Sequence, residues 1–374
     1  MLKPCDGATS LISCVGLWAV LGAGCGGKQE AAAPPDLGPR AFAVQATGSL
    51  RTATSPTPEP SKEFNPRLLR RFQPLREQLN ADGKAPTLAQ VELGRQLYFE
   101  TRLSKTGALS CNSCHPLANY GADGEVTSLG HTGKRGGRNS PTVYHAAGYF
   151  AQFWDGRAAD VEEQAKGPIL NPVEMGMKDG AQVEQVLKHI PGYVTAFARA
   201  FPEDKQPLTY AHVGQAIGAF ERGLVTPSRW DTYLKGDKTA LTGAEVEGLR
   251  VFTNVGCMVC HTGEFLGGSM FEKVGAVEPW PNQSDLGRYT VTKADGDRMM
   301  FKVPTLRNIE KTAPYFHDGS VAKLGDAVRM MGKHQLGLEL SDEEVSAIET
   351  WLKALTGPLP EKYIQPPELP SSAG

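Results

Sequence analysis

The sequence is short of several things, and each shortage excludes a class. It has no strong charge of either sign: 39 basic against 41 acidic residues leave a net charge of −2 and a pI near 6.5. That balance gives no basis for binding nucleic acid or an anionic membrane surface. It has no spare cysteine. Of seven, Cys5, Cys14 and Cys25 fall in the first 25 residues and the other four stand in two short motifs, so the body has none left for a structural disulfide. It has no long apolar run either. Leu11 to Ala23 is mostly apolar but too short to span a bilayer comfortably, and with Lys3 before it reads as a secretory signal.

The remaining four cysteines form Cys111-Asn112-Ser113-Cys114-His115 and Cys257-Met258-Val259-Cys260-His261. Each is Cys-x-x-Cys-His, the attachment signal for a c-type haem. Two thiols at this spacing reach the two vinyl groups on one porphyrin edge. The adjacent His then lies over the iron as proximal ligand. Zinc is the rival, but zinc ribbons place their Cys pairs about 15–20 residues apart, whereas Cys111 and Cys257 are 146 positions apart. A thioredoxin-like dithiol would need a βαβ setting that the pattern does not offer.

The chain divides by composition. Leu21-Gly22-Ala23-Gly24-Cys25 resembles a bacterial lipobox with Cys25 as the lipidated residue. Gly22 stands where a Leu-like residue is usual, so ordinary signal-peptidase cleavage is the alternative. Residues 26–65 are an Ala/Pro-rich linker (Ala31-Ala32-Ala33-Pro34-Pro35, Ser55-Pro56-Thr57-Pro58) with little to form a core. Residues 66–236 and 237–360 each hold one haem motif, and 361–374 form a tail.

Within each unit the helical signals repeat. Thr87-Leu88-Ala89-Gln90 and Thr242-Gly243-Ala244-Glu245 are capping boxes. The first opens a helix with Val91, Leu93 and Leu97 on one face, and the second a helix with Leu249 and Phe252. Both helices run towards a haem motif. Val213, Ile217, Phe220 and Leu224 line a later helix expected to run until Thr226-Pro227 stops it. Ser341 with Glu344 caps another carrying Val345, Ile348, Leu352 and Leu355, closed by Gly357 and Pro358. The expected fold is therefore mainly α: two tandem cytochrome c-like haem domains with long connecting loops.

The sixth ligand decides whether a haem carries electrons or binds a substrate. In the first unit the nearest candidate is His131, in a loop with Gly121, Gly124, Gly130, Gly133, Gly136 and Gly137. Such a loop suits a ligand that must come off. His145, His189 and His212 are rivals. In the second unit Met270, Met299, Met300, Met330, Met331, His317 and His334 are all open, and spacing does not choose among them.

Asn139-Ser140-Pro141-Thr142-Val143-Tyr144, Gln152-Phe153-Trp154-Asp155-Gly156-Arg157-Ala158 and Gln164-Ala165-Lys166-Gly167-Pro168 resemble the bacterial di-haem cytochrome c peroxidases. So do Val303-Pro304-Thr305-Leu306-Arg307-Asn308, Ala313-Pro314-Tyr315-Phe316-His317-Asp318-Gly319 and Met331-Gly332-Lys333-His334-Gln335-Leu336-Gly337. The likeness covers about residues 67 to 360. It implies two covalent c-type haems and one Ca²⁺. It makes Cys111, Cys114 and His115 the attachment of a low-potential haem whose distal ligand is His131, and Cys257, Cys260 and His261 that of a high-potential haem whose distal ligand is Met331.

By the same likeness Glu174 is the acid–base residue, Gln164 its neighbour, and Trp154 the tryptophan between the haems. Asn139, Thr312 and Pro314 hold calcium, the last two through carbonyls, which suits a hard oxygen-seeking ion. The implied activity is reduction of hydrogen peroxide to water, with electrons from a small cytochrome c or blue-copper protein. One electron reaches the Met331 side first and the loop then releases His131. The likeness further implies a homodimer; with the signal it implies a periplasmic protein, anchored if Cys25 is lipidated. The alternatives are a cofactor-maturation enzyme of the same superfamily, which has Tyr at the Met331 position, and a di-haem electron carrier or redox sensor.

Overall fold

The computed structural model describes residues 65–80 and 83–372. The signal, Cys25 and almost all of the Ala/Pro-rich linker lie outside them.

The first unit opens with α1 (Leu88–Phe99), where Thr87 and Gln90 form the capping box: the Thr87 hydroxyl accepts from Gln90 N at 3.2 Å, and Gln90 Oε1 accepts from Thr87 N at 2.9 Å. A single turn, α2 (Cys111–Cys114), carries the first motif. Then come α3 (Val161–Leu170), α4 (Gly180–Lys188), α5 (Pro191–Ala200) and α6 (Tyr210–Glu221). Helix α1 lies against α6. At the crossing a methyl group on Gly94 would overlap the Ala216 carbonyl, so only glycine lets the backbones approach. Leu93, Leu97, Tyr98, Phe197, Ile217 and Phe220 are buried together as the first core, each such side chain contributing about 1.5–3 kcal/mol by leaving water.

The short α7 (Arg229–Leu234) leads to the second unit. There α8 (Gly243–Asn254) begins with the Thr242–Glu245 box and packs on α11 (Asp342–Lys353), which begins with the Ser341–Glu344 box. Trp230, Leu249, Phe252, Trp351 and Leu352 form the second core. Between them lie the second motif on a 3₁₀ turn (Cys257–Val259), a one-turn α9 (Tyr289–Thr292), and α10 (Leu324–Met330), which continues as a π-turn over Met331–Leu336. Among the described residues strand is confined to β1 (Phe271–Lys273) and β2 (Met300–Lys302), antiparallel with Phe271 opposite Lys302.

Two details differ from the sequence expectation. Helix α6 ends at Glu221 rather than running to Thr226-Pro227. Leu224 and Leu355 reach their cores from the chain just beyond their helices. The chain's end also returns to the first core: Ile364 is buried there, and Tyr363 stacks on Phe220 at 5.1 Å while its hydroxyl donates to the Phe220 carbonyl at 2.7 Å.

The loops of the two units repeat each other 163 positions apart. Ser140-Pro141-Thr142 corresponds to Val303-Pro304-Thr305, and Phe153 and Gly156 to Phe316 and Gly319, all four of these last with positive φ. Isolated bridges Gln152↔Ala158 and Tyr315↔Val321 close the equivalent turns. Buried polar groups fill the seam. Arg307 binds Asp231 through two parallel hydrogen bonds of 2.9 and 2.7 Å and donates from Nε to the Glu264 carbonyl at 2.6 Å. Asp231 also accepts from the amides of Leu75 and Ser228, each at 2.7 Å. Beside it the Thr226 hydroxyl lies between His145 Nε2 (3.1 Å) and the Asn308 amide.

Burial alone would raise the Asp231 carboxyl, but the bonds and charge of Arg307 and the two amides outweigh it, and the group titrates below its ordinary value. A carboxyl depressed in this way adds stability that is complete above the unfolded value, about 3.9, and is lost as pH falls through the folded one. Asp231→Asn leaves the Arg307 charge buried without a partner. It should cost about 3–5 kcal/mol in denaturant unfolding at pH 7, and the gap from the parent protein should close as the pH is taken below about 4.

Candidate functional site

Each Cys-x-x-Cys-His motif folds into one tight turn. His115 N donates to Cys111 O at 2.9 Å and His261 N to Cys257 O at 3.1 Å, which fixes each ring against its own cysteines. The Tyr98 hydroxyl donates to the His115 carbonyl at 2.7 Å. Both rings are oriented alike: His115 Nδ1 meets the Gly121 carbonyl at 3.2 Å and His261 Nδ1 the Leu266 carbonyl at 3.1 Å. A carbonyl can only accept, so Nδ1 carries the proton and Nε2 presents its lone pair. The turn at Gly121 needs its positive φ of 71°, and a methyl group there would strike Val143. Burial lowers the pKa of both imidazoles and keeps them neutral, the form that binds a metal. Burial also pushes the Cys111 and Cys257 thiols up to about 12.

These residues fit a covalent haem better than zinc. Among the described residues no three His, Cys, Asp or Glu side chains converge as metal donors, so the two Cys pairs do not share one zinc. A cavity of about 510 Å³ opens beside the second motif, lined by Cys257, Cys260, His261, Met331, Phe252 and Leu352. That lies within the roughly 300–1,000 Å³ of small-molecule sites, and its walls suit an apolar macrocycle.

The structure separates the second-unit candidates. Met330 and Met331 both pack against the Trp280, Met299 and Phe301 cluster; Met331, the first residue of the π-turn, also lines that cavity, whereas Met330 also packs on the Tyr315, Val321 and Ala327 cluster. Met299 is buried in the Trp280 cluster, and Met300 lies in β2. Met270 precedes β1 and accepts from Val303 N through its carbonyl at 3.0 Å. His334 Nδ1 lies 3.3 Å from the Glu278 carbonyl. His317 stacks on Phe301 at 4.1 Å with its Nε2 buried and unpartnered.

In the first unit, His131 is seated on the loop that carries Glu174. Its backbone N–H donates to the Glu174 carbonyl at 2.8 Å, its Nε2 is 3.2 Å from the Pro172 carbonyl, and its Nδ1 is buried without a partner. Gly176, with φ 73°, lies under the ring, and a methyl group there would overlap it. The Glu174 carboxylate accepts from Asn171 Nδ2 at 3.0 Å. Burial raises its pKa; the Arg157 charge and the Asn171 bond lower it, and burial prevails. Gln164 is half-buried on α3. The rival histidines have other partners. His145 Nε2 accepts from Thr226 N at 3.1 Å, His189 Nδ1 meets the Gln185 carbonyl at 2.6 Å, and His212 stacks on Phe201 at 3.9 Å.

Trp154 is bonded to residues of both units. Its Nε1 donates to the Asn139 carbonyl at 2.9 Å, its carbonyl accepts from Lys302 N at 2.8 Å, and its ring stands 6.4 Å from His317. Asn139 donates from its side chain to the Glu125 carbonyl at 3.0 Å, tying this seam to the His131 loop. Asn139, Thr312, Pro314 and Trp154 all line the cavity. Asn171 and Lys302 were not singled out from sequence. The signal for Lys302 was a lysine inside Met300-Phe301-Lys302-Val303-Pro304, an otherwise apolar run.

Residues 88–239 match the family model described as di-haem cytochrome c peroxidase. The chain is 46% identical over 308 residues to the cytochrome c551 peroxidase of Pseudomonas aeruginosa, covering 80% of this chain and 88% of that one. It is 47% identical over 283 residues to the cytochrome c551 peroxidase of Nitrosomonas europaea, covering 75% and 83%. Among solved structures it superposes on a MauG-like protein associated with microbial copper homeostasis with a TM-score of 0.69 at 28% identity, covering 82% of this chain and 99% of that one.

Cys114→Ala and Cys260→Ala each remove one thioether. In each variant mass spectrometry under denaturing conditions should show weakened covalent attachment at the altered motif only, the other motif keeping its full mass increment.

Proposed function

This chain belongs to the di-haem cytochrome c peroxidase family, and on that premise we propose how its residues perform the reaction. It is a peroxidase with two c-type haems. It reduces hydrogen peroxide to water with electrons from a small redox protein, a cytochrome c or a blue-copper protein. The haems, when bound, supply the iron that takes peroxide and the store for the first electron.

The observation that carries the mechanism is the seating of His131 on the Glu174 loop. His115 would hold the peroxidatic iron through Nε2, and His131 would be the ligand given up. With its Nε2 donating to the Pro172 carbonyl, the seat seen here is the one His131 takes off the iron. An electron held on the His261–Met331 side would loosen the Gly-rich loop and let His131 move to this seat. There His131 N donates to the Glu174 carbonyl, so vacating the site and placing the Glu174 loop are one motion. Glu174 then takes a proton from the near oxygen of peroxide and gives it to the far one, so that the O–O bond breaks with water as leaving group. Its raised pKa suits a group that must both take and give a proton near neutrality. Gln164, on the neighbouring face of α3, orients the peroxide. Trp154 carries electrons between the sites.

Asn139, through its side-chain amide, and Thr312 and Pro314, through their carbonyls, would hold Ca²⁺; all three line the same cavity. A set of neutral oxygens fits this ion's chemistry, and it would brace the seam between Trp154 and the His131 loop. The N-terminal signal directs the protein to the periplasm, with Cys25 as the lipid anchor and a homodimer as the assembled form. Met331 favours a peroxidase over the cofactor-maturation enzymes, which have Tyr there.

The deciding experiment measures peroxide turnover and EPR before and after one electron per molecule is added. A rise in activity with a high-spin signal at one haem is expected; both irons staying low-spin without turnover would overturn the reading. Glu174→Gln should lower turnover by about 10²–10⁴-fold with both haems attached. Gly176→Ala takes the room that His131 needs in this off-iron seat, so the one-electron-reduced protein should show less high-spin iron and lower turnover than the parent. Chelation of calcium should suppress the reductive rise and leave the covalent haem content unchanged.

A further inference from the structure

Among the described residues three basic side chains are buried: Arg222, Arg307 and Lys302. Arg222 pairs with Glu162 and Arg307 with Asp231. Lys302 has no carboxylate. Its ammonium lies 4.5 Å from the centre of the Tyr149 ring, in the wall of the cavity that also holds Cys257, Cys260 and His261. Glu272 is the one acid lining that cavity; its carboxylate accepts from Lys273 N at 3.2 Å and makes no ion pair with Lys302. Burial, with nothing opposing it, pushes the Lys302 ammonium down to about 8. A buried cation without a counter-charge is strongly unfavourable, so a carboxylate is expected to arrive with whatever fills the cavity. A haem brings two, its propionates, on the porphyrin edge away from the vinyl groups that the cysteines take. Lys302 is on β2, with its backbone N–H bound to the Trp154 carbonyl, on a different element from both cysteines.

We propose that the Lys302 ammonium is the counter-charge for a propionate of the haem held by Cys257, Cys260 and His261. As a positioning residue it turns the carboxylate edge of that haem toward Trp154 and raises its reduction potential. The proposal rests on haem occupancy of that motif, which the visible spectrum reports independently. The direction follows from charge: a cation near the iron favours the reduced, less positive state.

The test is a redox titration of the purified holoprotein at pH 7, following the two haems separately by their visible bands, with resonance Raman spectra of the same samples. Lys302→Met should shift the oxidised-to-reduced ratio of the His261 haem about tenfold toward oxidised, a fall of about 59 mV for a one-electron couple. The His115 haem should move much less, and the propionate bending band should shift. Lys302→Arg, which keeps the charge, should hold the parent potential. Lys302→Gln carries the same expectation as Lys302→Met and serves if methionine is not tolerated. Equal shifts at both haems, or no shift with both haems attached and the propionate band unmoved, would overturn the proposal. A spectrum lacking the second haem in the parent protein would instead overturn the haem assignment beneath it.

Discussion

Arg307 is completely buried in the seam between the two units. Its guanidinium holds the Asp231 carboxylate, which in turn holds the amides of Leu75 and Ser228, while its Nε fixes the carbonyl of Glu264, three residues past His261. A buried pair of this kind contributes little net stability, because desolvation offsets most of the attraction. Its value lies in geometry. Only one arrangement of α7, the 303–308 segment and the second haem motif satisfies all these donors and acceptors together, so the seam has one register.

That fixed seam matters because the chemistry is carried on loops. The helices α1, α6, α8 and α11 make two ordinary apolar cores, and neither core contains a candidate catalytic group. His131, Trp154, Asn139 and Glu174 all lie on connecting segments, as do the carbonyls that orient His115 and His261. Loops hold side chains accurately only when their backbone polar groups are satisfied. Here this is done by pairing loop to loop: Asn139 to Glu125 and His317, Trp154 to Asn139 and Lys302, His131 to Glu174.

The two units are variations on one plan, and the variations carry the division of labour. Position 154 is Trp in the first unit and its counterpart 317 is His. His145, whose Nε2 accepts from Thr226, corresponds to Asn308, which shares the same hydroxyl. The first unit places His131 on a glycine-rich loop with a half-exposed seat, whereas the second places Met331 on a π-turn continuous with α10. A ligand on a helix end is held by the helix; a ligand on such a loop is held mainly by the bonds it makes.

Much of this was legible in the residues themselves. The two Cys-x-x-Cys-His motifs, the three capping boxes and the apolar spacing of α1, α6, α8 and α11 are local patterns, decided by chain geometry within one or two turns, so they could be read without a fold. The family likeness extended that to His131, Glu174, Trp154 and Met331. The tertiary structure decided what depends on distant chain segments meeting. It ended α6 at Glu221, brought the chain end back onto Phe220, and placed Met331 in the cavity wall. It also left Lys302 as a buried cation with no carboxylate paired to it. In sequence Lys302 is one lysine among many; its environment comes from Tyr149 and Trp154, about 150 positions away. Charge balance in a cavity is a property of everything that lines it, and no local pattern encodes that.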